Sequence, residues 1–225
     1  MKTAVIIHGF HLQAEAWESV MWGDPAKGVY GRIATGLREA LRFEADFIFF
    51  GTGASNKDGL LEGEYILKFA REHIAELSEF AQWGNEKAVH WLEERAVLEL
   101  KSQVTKEELL QCATIARERG VERLILVSSP THILRAHQTA IAEFSKSELL
   151  SPLLHALYAV ASDTSYVGTS VADVMVVEPP HRPDRQKVFF NETLKDLSSF
   201  FNRPDAADKL NESLKKVFHD FKSEF

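Results

Sequence analysis

Apolar residues fall into two rhythms along the chain, and each rhythm predicts a kind of element. Four short runs are almost uninterrupted and rich in β-branched or aromatic side chains: TAVIIH near 3–8, DFIFFG at 46–51, RLILVS at 123–128 and DVMVVE at 173–178. They lack the polar alternation of a half-exposed sheet, so they predict strands buried on both faces. Between them, apolar residues recur at three- and four-residue intervals around 31–43, 60–80, 105–119 and 133–144, which predicts amphipathic helices. Strand alternating with helix predicts the α/β layered class, with a mostly parallel sheet covered on both faces. The run AVLEL at 96–100 fits either a fifth strand or part of a helix. After the last strand, PPHRPDR is turn-rich, and 191–201 and 205–222 predict two closing helices broken at Pro204. There is no internal repeat, and the chain reads as one domain over 1–225.

In an open parallel sheet, ligands gather beyond the carboxyl ends of the strands. Those ends read HGFH, GTGASNKDG, SSPTH and EPPHRPD. In SSPTHILRAH, Ser129 suits an N-cap and Pro130 the first helical position. At 100° per residue, Ile133, His137, Ala140, Ile141 and Phe144 share an apolar stripe, with His132, Arg135 and Thr139 opposite. His132 and Arg135 then lie beside unpaired backbone N–H groups at a helix N-terminus, a favourable place for an anion. The glycines of GTGASN either let the backbone approach a ligand or serve a tight turn with positive φ at Gly51 and Gly53. The stretch is neither a dinucleotide fingerprint nor a P-loop. Glu62 and Glu64 open the next helix as dipole complements. In ELKSQVTKEE, Thr105 and Glu108 form a capping box, which leaves Glu99 and Ser102 unexplained.

Composition narrows the function classes. With 45% hydrophobic residues among 225, the chain can bury a sizeable core. A formal net charge of −7 argues against binding to nucleic acid or anionic membrane. No apolar run approaches the roughly 18 residues that cross a bilayer, and the N-terminal run has no secretory pattern, so a cytoplasmic location is expected. The single cysteine, Cys112, lies in a helical run and reads as a packing residue. His137 reads as core, while His8 and His11 flank the first glycine loop. His181 and Arg182 could close the pocket. Trp17, Trp22, Trp83 and Trp91 read as packing anchors. The long stretch 10–30 suggests a lid, in which a tryptophan could stack on a base.

One order of motifs goes further. An Arg-x-x-x-Gly-Leu helix (Arg32 to Leu37), a second strand ending in a glycine loop, Glu62-Gly63, the array Glu99, Ser102, Thr105, Glu107, and Val127-Ser-Ser-x-x-His-x-x-Arg-Ala136 occur in sequence. Together they resemble the bacterial YdcF/SanA/ElyC family over roughly residues 3 to 180. The resemblance implies a Rossmann-like three-layer sandwich with extra C-terminal helices, and a family whose activity is generally not established. Without an N-terminal anchor, the chain is similar to the soluble YdcF-like branch. The implied site holds Gly9, Arg32, the loop Gly51, Thr52, Gly53, Ala54 and Ser55, then Glu62, Glu99, Ser102, Thr105, Glu107, Ser128, Ser129, His132 and Arg135. The chain departs from the pattern at His8-Gly9-Phe10, where a glycine pair is preferred, and at Val104 and Glu108, where asparagines are usual.

Arginines and amides suit a phosphate or carboxylate, and carboxylates accept from ribose or sugar hydroxyls. A small anionic, hydroxyl-bearing ligand is therefore expected: nucleotide-like, adenosyl (including S-adenosylmethionine) or a sugar phosphate. In the enzyme reading, a hydrolase or transferase, His132 is a general acid or base, Arg135 steadies negative charge, and Glu99 joins them. The alternative is a binding or sensing module without turnover. A divalent metal held by His132 and glutamates ranks below both.

Overall fold

The computed structural model describes residues 1–169. All of them lie in the first of the two units into which the chain divides, Met1–Met175 and Val176–Phe225. The expected strand at 173–178, His181 and Arg182, and the closing helices at 191–201 and 205–222 lie outside the described residues.

The fold is α/β. Its central sheet has β1 (Lys2–Ile7), β2 (Phe47–Gly51), β3 (Ala96–Glu99), β4 (Val121–Ser128) and β5 (Leu157–Ala161) in the order β3-β2-β1-β4-β5. Every pairing is parallel, with Ile7 beside both Phe50 and Val127. The order reverses direction between β1 and β4, which is the crevice where doubly wound sheets bind ligands. The helices are α1 (Arg32–Arg42), α2 (Glu62–His73), α3 (Asn85–Glu93), α4 (Thr105–Glu118) and α5 (Pro130–Phe144).

The period of two along each strand divides the core between two faces. Val5 and Ile7 join Ile33, Leu37, Ile66 and the tryptophans on the α1/α2 side, whereas Ala4 and Ile6 join Leu109, Cys112, Ala140 and Phe144 under α4 and α5. Both faces are covered by helices, which is the Rossmann-like three-layer arrangement. Cys112 is fully buried, and burial pushes its thiol pKa well up, so it packs as an inert apolar group.

AVLEL resolves as strand β3, because Val97 pairs with Phe49 at the edge of the sheet. The fifth strand, LYAVA, was not expected from the sequence. The helix expected over 60–80 is shorter: α2 ends at His73, and a 3₁₀ turn at Ile74–Glu76 precedes a separate turn of helix at Ser78–Ala81. The break carries Leu77 and Phe80 into the core, both fully buried.

The stretch 10–30 is no open loop. It holds a short helix at Trp17–Met21 and a two-residue ladder joining Gly23–Asp24 to Val29–Tyr30. Trp17 and Trp22 are each 5% exposed. Their indole N–H groups donate to the Phe10 carbonyl and the Glu76 carboxylate, both at 2.9 Å. Trp17 and Trp22 are thus the packing anchors expected of them, and neither is a base-stacking lid residue.

Candidate functional site

A cleft of about 490 Å³ opens at the carboxyl ends of β1, β2 and β4. Of the residues singled out from the sequence, Gly9, Arg32, Thr52, Ala54, Glu62, Thr105, His132 and Arg135 line it. Ser55, Ser128 and Ser129 sit behind that lining and hold its members by hydrogen bonds. His8 and His11, which flank the first glycine loop, line the cleft as well, and so do Glu108 and Tyr166.

Arg32, the first residue of α1, is 1% exposed. Its Nε donates to Ser129 Oγ at 2.9 Å, one terminal nitrogen to the His8 and Gly9 carbonyls, and the other to Tyr166 Oη at 2.9 Å. The rings of Phe10 and Tyr166 lie 5.4 and 5.5 Å from its guanidinium carbon. Burial lowers its pKa, opposed by Tyr166 and by the charges of Glu108 and Glu62. No carboxylate touches it among the described residues, so it places a positive charge beneath the cleft without neutralising it locally. Ser129 does occupy the N-cap position of α5, with Pro130 following, but its hydroxyl serves Arg32 and makes no cap.

The buried face of α5 is His132, Ala136, Ala140 and Phe144. This corrects the expected stripe: His132 is 7% exposed and Ile141 44%, while His137 is only half-buried. The helix turns His132 inward because polar partners await it there. Ser128 Oγ lies 2.9 Å from Nδ1 and Thr105 Oγ1 3.3 Å from Nε2. Burial, then the neighbouring His8, Arg32 and Arg135, push the His132 pKa down to about 2. The imidazole is therefore neutral at pH 7. Arg135, three residues on, is exposed at the rim, and its guanidinium has no hydrogen-bond or ion-pair partner among the described residues.

That depressed pKa has a consequence for stability. Below pH 6.5 an unfolded histidine takes up a proton that His132 refuses, so folding is disfavoured as pH falls, by about 1.4 kcal/mol per pH unit. Between pH 7 and pH 5 the wild type therefore loses roughly 2 kcal/mol more than His132→Asn does. Urea denaturation of both proteins across that range checks this; parallel curves would contradict it.

The opposite wall is acidic. Glu62, the first residue of α2, is 3% exposed and accepts from Ser55 Oγ at 2.5 Å and Thr52 Oγ1 at 3.3 Å. Burial raises its pKa and the Glu108 charge adds to this, against the two hydroxyls. Its Oε1 lies where a side chain on Gly9 would go, 1.8 Å from a Cβ built there. The glycine loop is also set by close approach: a Cβ on Gly53 would fall 2.1 Å from the Leu100 carbonyl, and neither Gly51 nor Gly53 has positive φ. The Gly51–Thr52 peptide is cis. The N–H groups of Gly53 and Ala54 donate to the Ser102 carbonyl and to Thr52 Oγ1, so the loop spends part of its anion-binding capacity on itself.

The array at 99–108 divides. Glu99 is 3% exposed and does not line the cleft; its carboxylate accepts from the N–H of Lys101 and from the N–H and hydroxyl of Ser102. That pins the loop ahead of α4 and leaves Glu99 a positioning role. Glu107 is exposed and accepts from the Gln103 N–H at 2.8 Å. The expected Thr105/Glu108 capping box does not form, because Val104 is the N-cap and Thr105 begins the helix. Glu108 turns inward to His8 Nδ1 at 2.6 Å. Among the described residues, no group of three or more His, Cys, Asp or Glu side chains is placed to hold a metal ion. No helix among them is long and apolar enough to cross a membrane.

No protein-family model matches the chain, and no curated protein or solved structure matches it.

Proposed function

We propose that the cleft binds a small anionic, hydroxyl-bearing ligand of the nucleotide, adenosyl or sugar-phosphate type, and acts on it as a hydrolase or transferase would. The observation that carries this reading is Arg135, an arginine with no side-chain partner among the described residues, at the rim of a cleft whose floor holds a buried arginine, imidazoles and carboxyl groups. An anionic group placed against Arg135 gains charge-assisted hydrogen bonds that no described residue competes for. It also offsets charges that depress His132, so binding and proton uptake at that imidazole are coupled. Glu62 supplies a carboxyl partner for hydroxyls. S-adenosylmethionine belongs on the ligand panel for its adenosyl hydroxyls and carboxylate. The likeness of the motif order to the YdcF/SanA/ElyC family supports the same site and leaves the reaction open.

A binding module without turnover is the second reading. It is favoured by His132 having a hydroxyl on each ring nitrogen. Product analysis after prolonged incubation separates the two. The binding claim itself is tested by calorimetry with AMP, ribose 5-phosphate and S-adenosylmethionine. At least one binds the wild type, and Arg135→Ala weakens it by about 10-fold or more. No binding by any member, or equal binding by the variant, contradicts the proposal.

A further inference from the structure

A second histidine in the cleft has the geometry of a group waiting for a partner. His8 follows β1 directly and is 1% exposed; Glu108 is in the first turn of α4 and is 2% exposed. His8 Nδ1 and Glu108 Oε2 are 2.6 Å apart. A carboxylate at that distance fixes the ring proton on Nδ1 and leaves Nε2 as an acceptor. That Nε2 has no hydrogen-bond partner among the described residues and is closed to solvent. Its ring lines the cleft and meets the His132 ring edge to face, with centroids 5.6 Å apart.

A buried acceptor without a donor is unfavourable, and natural folds rarely keep one without a use. No described residue supplies that donor, so it must come from the cleft, where a bound hydroxyl reaches Nε2 only by displacing the side chains that close over it. His132 cannot play the same part, since both its nitrogens already face hydroxyls of the protein. The carboxylate–imidazole pairing is also the arrangement that orients a histidine to accept a proton from a hydroxyl.

We infer that His8, oriented by Glu108, is the group that recognises a hydroxyl of the bound ligand, through a hydrogen bond from that hydroxyl to Nε2. The inference rests on the anion-binding reading above and sharpens it. The cleft selects, among small anions, those with a free hydroxyl within reach of its floor. Glu108 is a positioning residue that acts through His8.

The test has two arms. Histidine ¹⁵N NMR of the ligand-free protein reads the tautomer: Nδ1 protonated and Nε2 bare is expected, and the reverse overturns the inference. Calorimetry then compares inorganic phosphate, ribose 5-phosphate and AMP on the wild type, on Glu108→Gln and on the paired replacement His8→Phe/Glu108→Leu, which leaves no orphaned partner if a single change misfolds. The hydroxyl-bearing esters bind the wild type at least tenfold more tightly than phosphate, and that ratio falls to within threefold in the paired variant. Tight binding of all three with the same ratio in both proteins overturns the dyad and spares the anion-binding reading. Binding of none by the wild type overturns that reading and the inference with it.

Discussion

Arg32→Met lowers the free energy of unfolding by about 3–5 kcal/mol, a large share of what a domain of this size possesses. The guanidinium joins β1, α5 and Tyr166 in one network, donating to two backbone carbonyls and two hydroxyls from a position closed to water. Methionine fills much of the volume and satisfies none of those acceptors. The His8 and Gly9 carbonyls lose a donor at the point where β1 enters the cleft. Arg32→Lys recovers only part of the loss, because a single ammonium cannot reproduce a fork that serves three directions. Urea denaturation followed by tryptophan fluorescence measures both variants. A loss under about 1 kcal/mol for Arg32→Met would show that the network is not what holds β1, α1 and α5 in place.

Gly9→Ala is the second large effect. Its Cβ would stand 1.8 Å from Glu62 Oε1 and 2.9 Å from the Gly51 carbonyl oxygen, so either the buried carboxylate or the backbone must move. The carboxylate is held by Ser55 and Thr52, and moving it breaks those bonds. A cost of about 2–3 kcal/mol is expected, together with loss of ligand binding. The companion change Glu62→Ala removes the nearer obstacle. The double variant is therefore less destabilised than the sum of the singles by at least about 1 kcal/mol, measured in a denaturation cycle. Strict additivity would mean that Gly9 and Glu62 do not share the space the geometry gives them.

Much of the fold is legible in the chain because buried parallel strands have an unmistakable composition. TAVIIH, DFIFFG and RLILVS each became a central strand, and the expected helices at 31–43, 105–119 and 133–144 fall within three residues of α1, α4 and α5. β5 escaped notice although LYAVA is apolar throughout: among the described residues it is a half-exposed edge strand, and it follows the 3₁₀ turn at Ser151–Ala156 with no turn residue to mark its start. The site was legible at strand ends, where local sequence and topology coincide. It was not legible where partners are distant. Glu108 fits a capping box by local spacing, yet its true partner, His8, is 100 residues away. His132 and His137 were exchanged between surface and core, because two overlapping stripes share Ala140 and Phe144 and periodicity alone cannot choose between them. The choice was made by Ser128 and Thr105, which offer the imidazole hydrogen bonds inside.

The central claim is that the crevice between β1 and β4 receives an anionic ligand. The most direct measurement is a crystal structure of the protein with the tightest binder from the phosphate, nucleotide and adenosyl panel. The account predicts the anionic group within hydrogen-bond distance of the Arg135 guanidinium and a ligand hydroxyl at His8 Nε2. A ligand bound away from this cleft, or lying in it with its anionic group remote from Arg135, would contradict it.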